Sequence, residues 1–254
     1  MITAGIDSGA KNVKAVIMKD NKIIGKAMVL AGLDTKAAAN QAYDEALKAA
    51  GLAREDVQKV LVTGAGKRDC DFAQGEVAEV SADAKGIMYF MPDTHTVIDV
   101  GAEEGRAVRV NRDGSIIDFA INEKCAAGAG TFVEAMARAL ETEVSKMGDL
   151  YDQSTKEIGM NAQCVVFAES ELVSLIHSLA AKPDIVRAVL DAMADRIVSM
   201  MRRVGVENDV AAIGGVALNK GFIKAVEKEL NIRIGVPPDP QFIGAVGAAI
   251  AAAE

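Results

Sequence analysis

The chain says one thing twice. Gly5-Ile6-Asp7-Ser8-Gly9-Ala10-Lys11-Asn12-Val13-Lys14-Ala15-Val16 returns as Val97-Ile98-Asp99-Val100-Gly101-Ala102-Glu103-Glu104-Gly105-Arg106-Ala107-Val108. Ile, Asp, Gly, Ala, a basic residue, Ala and Val fall at the same offsets. The residues beyond each copy match as well: Asp20-Asn21 then Lys22-Ile23-Ile24, and Arg112-Asp113-Gly114 then Ser115-Ile116-Ile117. Each copy predicts an apolar strand, a tight turn, an alternating strand, a second turn and a third strand. A sequence that must build this unit twice is confined to two related lobes.

The turn chemistry points to phosphate. A short strand delivers an Asp to its end, and a Gly two residues on lets backbone N–H groups approach a ligand closely. A basic residue follows on the returning strand. Two such hairpins facing each other would clamp a phosphate chain. Asp7 and Asp99 would hold a hydrated Mg2+, which keeps several waters and takes one or two carboxylates plus phosphate oxygens. Two ordinary β-hairpins are the competing explanation, and the register of the repeat argues against it.

Composition narrows the class. Half of the 254 residues are apolar, enough for a sizeable core. A formal charge of −8 with scattered Lys and Arg favours neither nucleic acid nor an anionic membrane. Trp is absent and aromatics are 4%, so platforms for stacking bases are not expected. No signal peptide or transmembrane run is visible, so a cytoplasmic protein is expected. In that reducing setting three cysteines read as ligands or packed thiols rather than disulfides.

The rest alternates between helix and strand, as an α/β protein should. Helices are expected over 37–50 (capped by Asp34-Thr35), 76–91, 131–140, 144–151, 167–179, 183–204, 219–230 and 245–253. Strands are expected over 57–62, 158–160, 211–213 and 232–236. Thr63-Gly64-Ala65-Gly66-Lys67 lacks Walker spacing and reads as a loop that could line a cleft. Pro92-Asp93 marks a boundary between lobes 1–93, joined by the terminal helix 241–254, and 94–240. Met136, Met193, Met200 and Met201 sit on helical faces and read as core.

A strand entering Gly214-Gly215-Val216-Ala217-Leu218-Asn219 lacks the third glycine of a dinucleotide fingerprint. Bare backbone at Gly214 and Gly215, with Asn219 at a helix start, suits an adenosine. Two phosphate hairpins followed by this turn resemble the superfamily of acetate and sugar kinases, Hsp70 and actin over essentially the whole chain. The fold implied is α/β: duplicated actin-like, ribonuclease H-like ATPase lobes with a nucleotide cleft between them.

Cys125 and Cys164 each follow a polar run, Asn122-Glu123-Lys124 and Asn161-Ala162-Gln163, and lead toward a helix N-terminus. That setting lowers a thiol pKa and favours a metal-ready thiolate. With no Cys-x-x-Cys spacing a zinc site in one chain is poorly supported. A [4Fe–4S] cluster needs four thiolates, which two chains on a two-fold axis would supply; two buried small hydrophobes are the alternative. The stretches around Cys125 (through Ala-Ala-Gly-Ala-Gly-Thr-Phe) and Cys164 (through Val-Val-Phe-Ala-Glu-Ser-Glu171) closely resemble the ATPase components of 2-hydroxyacyl-CoA dehydratases and class I benzoyl-CoA reductases.

The resemblance implies a dimer, homomeric or paired with a related ATPase subunit, with one [4Fe–4S] cluster bridged by Cys125 and Cys164 of each chain. It also implies ATP and Mg2+, a ferredoxin or flavodoxin donor, and an iron–sulfur reductase or dehydratase component acting on a CoA thioester. Asp7, Asp99 and Glu103 become catalytic candidates, Asp7 and Asp99 also metal candidates. Gly9, Ala10, Lys11, Asn12, Lys14, Gly101 and Ala102 fall to the phosphates, and Gly214, Gly215 and Asn219 to the nucleoside. The Gly101-Ala102-Glu103-Glu104 turn departs from the dehydratase activators' Gly-Gly-Gln-Asp and leans toward a benzoyl-CoA reductase ATPase subunit. A dehydratase activator and a small-molecule kinase of the same superfamily are the alternatives. Cys70 matches no ligand and is expected to be a packed thiol.

Overall fold

The computed structural model describes residues 1–122, 129–160 and 165–254. Contacts divide the chain into two compact units. One comprises Met1–Thr94, Val110–Ile117 and Pro237–Glu254; the other comprises His95–Arg109 and Asp118–Val236.

The first sheet grows from a meander of β1 (Ile2–Ser8), β2 (Asn12–Lys19) and β3 (Lys22–Leu30). Asp20 and Asn21 close β2 onto β3 with φ of 50° and 62°, the left-handed pair a two-residue hairpin demands. β4 (Lys59–Thr63) then runs parallel to β1, and β5 (Gly75–Glu76) parallel to β4, giving the order β3-β2-β1-β4-β5. Alternate residues serve opposite faces. Ala15 and Ile17 join the cluster under α1 (Thr35–Ala50), while Val16 and Met18 join Ala245, Val246 and Ala249 of α8 (Ile243–Ala251). Asp34 caps α1 by accepting the Ala37 N–H at 2.9 Å. α2 (Glu79–Phe90) packs closely on α8.

The second sheet repeats the plan. β6 (Thr96–Val100), β7 (Gly105–Val110) and β8 (Ile116–Asn122) follow one another, with β9 (Val210–Ile213) parallel to β6 and β10 (Ile234–Gly235) parallel to β9. Its order, β10-β9-β6-β7-β8, is that of the first sheet. Its core comes from α3 (Gly130–Ala139), α4 (Val144–Asp152), α5 (Val165–His177), α6 (Lys182–Val204) and α7 (Lys220–Leu230). Phe132, Met136, Met147, Leu172, Leu190, Met193 and Phe222 are all fully buried, each contributing about 2–3 kcal/mol of transfer free energy. Met200 and Met201 are buried beside them. The expected α/β architecture with duplicated lobes is present.

Three expectations need correction. Ile158-Gly159-Met160 is not a strand. A strand needs a ladder partner, and both sheets complete their orders without it. The helix expected from residue 76 begins at Glu79, because Gly75 and Glu76 pair with Leu61 and Val62 instead. The strand expected over 232–236 shrinks to Ile234–Gly235, with Pro237 unable to donate to a ladder beyond it. Residues 123–128 and 161–164, and with them the cluster candidates Cys125 and Cys164, lie outside the described residues. Among the described residues no helix is long and apolar enough to cross a membrane.

Candidate functional site

In the first unit, β1 carries Asp7 to the sheet's carboxyl end. The N–H of Gly9 donates to the Asn12 carbonyl at 3.2 Å and closes the turn, leaving Ala10 and Lys11 exposed at its tip. Asp7 and Lys14 are cross-strand partners on β1 and β2. Directly opposed side chains share a face, so Lys14 points toward the turn: its Nζ donates to Asp7 Oδ2 at 2.9 Å. The pair is mostly buried, with side chains 15% and 18% exposed. A Cβ on Gly9 would lie 3.1 Å from the same ammonium, so the Lys14 charge stands over the turn.

The second unit reproduces this arrangement bond for bond. Gly101 N–H donates to the Glu104 carbonyl at 2.9 Å. Asp99 and Arg106 are cross-strand partners on β6 and β7, and Arg106 Nη2 donates to Asp99 Oδ2. The other arm of the guanidinium reaches Glu104 Oε2 at 3.2 Å. Glu103 is exposed at the tip. The turn is also held from behind: the Gly101 and Ala102 carbonyls accept the N–H groups of Gly130 and Thr131, the first residues of α3, at 2.8 and 2.9 Å.

A glycine presses on each Asp from the neighbouring parallel strand. Gly214, after β9, has φ +84°, and a Cβ there would stand 2.3 Å from Asp99 Oδ1. Gly64, after β4, has φ +93°, and its Cβ would stand 2.7 Å from Asp7 Oδ1. Only glycine fits both the left-handed backbone and the approach. The Thr63–Lys67 segment is therefore the first unit's counterpart of the Gly214 turn. It is tied to the Asp7 hairpin by the Gly66 N–H, which donates to the Ser8 carbonyl at 2.8 Å. A Cβ on Gly215 would meet open space, leaving its backbone bare. Asn219 caps α7 by accepting from Gly221 and Phe222 N–H at 3.0 and 3.2 Å. Its Nδ2, 7% exposed as a residue, has no hydrogen-bond partner among the described residues.

The structure thus gathers Asp7, Gly9, Ala10, Lys11, Asn12 and Lys14 at one turn, and Asp99, Gly101, Ala102 and Glu103 at its twin. Gly214 adjoins Asp99, and Gly215 and Asn219 come after it in the chain. Sequence reasoning missed three participants: Gly64, Arg106 as partner of Asp99, and Glu104. The signal was present, since strand-then-glycine occurs twice and Arg106 repeats Lys14 in register. An Asp flanked by a cation at a glycine turn has the donor chemistry for hydrated Mg2+ and phosphate oxygens, in each unit separately. Among the described residues no cluster of three metal-ligating side chains forms. Cys70 is buried and free, and burial pushes its thiol up to about 11, as a packed rather than reactive cysteine should be.

Known proteins resemble this chain along nearly its whole length. Residues 4–252 match the model of the BadF/BadG/BcrA/BcrD ATPase family. The activator of lactoyl-CoA dehydratase from Anaerotignum propionicum is 39% identical, over all of this chain and 98% of its own. The solved activator of the 2-hydroxyisocaproyl-CoA dehydratase from Clostridium difficile, with bound ADPNP, superposes with a TM-score of 0.94 at 36% identity. That alignment covers 99% of this chain and 94% of the activator. A benzoyl-CoA reductase subunit from Thauera aromatica is 30% identical over 98% of this chain and 92% of its own.

Proposed function

Because the chain belongs to the BadF/BadG/BcrA/BcrD ATPase family, we propose that it is an ATP-hydrolysing, electron-transferring component that activates a 2-hydroxyacyl-CoA dehydratase. The activator reading outranks the benzoyl-CoA reductase reading on identity along the whole chain, 39% and 36% against 30%. Only one turn, Gly101–Glu104, favours the reductase reading, and one turn weighs less than the full length.

The observation that carries the ATPase half is the twin Asp turn, each Asp held by a cross-strand cation and pressed by a glycine. Asp7 and Asp99 serve magnesium and the attacking water, and Lys14 and Arg106 offset phosphate charge. With Gly9 N–H committed to Asn12 and Gly101 N–H to Glu104, phosphate contact falls to the tips beyond them, Ala10 to Asn12 and Ala102 to Glu103. Gly214, Gly215 and the Asn219 Nδ2 donor take the nucleoside. In hydrolysis water attacks the γ-phosphorus, the β–γ bridging bond breaks, and ADP and phosphate leave. Preorganised cations and dipoles at such a centre supply most of the rate.

The two motifs around Cys125 and Cys164 support a [4Fe–4S] cluster shared by two chains, in a homodimer or a pairing with a related ATPase subunit. When bound, that cluster supplies a one-electron carrier between a ferredoxin or flavodoxin donor and the dehydratase. A cytoplasmic site of action suits this chemistry.

An ATPase assay without any acceptor tests the enzymatic half. Mg2+-dependent phosphate release that needs no sugar or acid, and that falls about a hundredfold or more in Asp7→Asn and Asp99→Asn, supports it. Turnover that appears only with a small-molecule acceptor replaces it with a kinase.

A further inference from the structure

The turn at Asp7 has neighbours with no role in the phosphate hairpin itself. Gly244 is the second residue of α8. A Cβ built on it would stand 3.7 Å from Asp7 Oδ2 and 3.8 Å from Asp83 Oδ1. Two carboxylates, one from β1 and one from α2, therefore border the space that a side chain at 244 would fill. Asp83 is 3% exposed. Two anions brought to one buried cradle favour a cation there, and Lys14 already attends Asp7.

Thr63 supplies a separate observation. It is the parallel-strand partner of Asp7, so its side chain leaves the sheet on the same face. It is 2% exposed, and its Oγ1 has no hydrogen-bond partner among the described residues. A buried hydroxyl normally finds one, and this one lies on the strand beside Asp7 without it.

We propose that Asp83 and Thr63, with Asp7 and the cradle left open by Gly244, seat a hydrated divalent cation, the Mg2+ of the nucleotide complex. Mg2+ gives up its waters reluctantly, so Asp83 and Thr63 Oγ1 act on its shell waters as positioning residues. The inference rests on the ATPase reading and adds residues that reading does not use.

Mn2+ is the probe, with free ion counted by electron paramagnetic resonance in the presence of saturating ADP. Wild-type protein is expected to hold one Mn2+ per chain with ADP. Asp83→Asn is expected to weaken Mn2+ at least tenfold while ADP affinity in EDTA stays unchanged. Gly244→Ala is expected to do the same with its melting temperature kept or raised. Its Cβ meets the carboxylates only at van der Waals distance, and Ala suits a helix better than Gly. If Asp83→Asn fails to fold, Gly244→Ala decides. Wild-type Mn2+ affinity in the folded variants overturns this inference alone. Wild-type protein that takes up no Mn2+ with ADP overturns the ATPase reading and this inference together.

Discussion

At the scale of single residues, the proposed chemistry hangs on two ion pairs that the register imposes. Lys14 and Arg106 each sit opposite the Asp they neutralise. Removing one partner strands a mostly buried charge, and charge-assisted hydrogen bonds contribute about 1.5–3 kcal/mol. Lys14→Ala and Arg106→Ala are each expected to weaken ATP binding about tenfold to a hundredfold, measured by fluorescent-nucleotide titration. Arg106→Lys should recover only part, since a lysine cannot span Asp99 and Glu104 at once. Cys70 offers the opposite kind of test. Its thiol is held near 11 by burial. With Cys125 and Cys164 replaced by Ser, the native protein should not react with a thiol reagent at pH 8, and should react fully once unfolded. Lys14, repeated in register, was legible in the sequence. The roles of Thr63 and Asp83 are not, because their meaning depends on strands and helices brought together from distant parts of the chain.

Among the elements, close packing of α2 on α8 helps hold the first unit. α2 and α8 approach so tightly that a Cβ on Gly247 would stand 1.8 Å from the Ala82 carbonyl oxygen. Backbone cannot yield as a side chain does. Gly247→Ala is expected to cost about 3 kcal/mol, at the upper end of overpacking, and the drop in urea midpoint would measure it. In the second unit Asp184, near the start of α6, accepts the N–H groups of Lys156 and Thr155 at 3.0 and 2.8 Å and the Ser154 hydroxyl at 3.0 Å. Those bonds hold its carboxyl below the usual carboxylate value of 3.8. A depressed folded pKa gives stability that is present above 3.8 and lost as pH falls through the folded value. The stability gap between wild type and Asp184→Asn should therefore be constant above the usual value of 3.8 and narrow progressively as pH falls below it, read in melts taken from about pH 6 downward. This latch also explains why 158–160 misled the strand reading. Its apolar pattern serves packing, with Met160 against the core, while the backbone just before it is fixed by Asp184 rather than by a ladder.

For the whole molecule, duplication is the governing fact. Two sheets share one strand order, two turns share one hydrogen-bond pattern, and two glycines press on two aspartates. Much of this was readable because hydrophobic periodicity and turn residues repeat at fixed offsets. Helix ends shifted by two or three residues where a local pairing won, as at Gly75–Glu76. The proposed activator role rests on full-length likeness, and a single altered turn points the other way. The proposed function couples this ATPase frame to a cluster carried by Cys125 and Cys164 of two chains. Iron and sulfide content of anaerobically purified protein, with its mass in solution, is the decisive test of that coupling. About four irons and four sulfides per two chains, lost in Cys125→Ala and in Cys164→Ala, is the predicted result. An iron-free protein with intact ATP hydrolysis would contradict it.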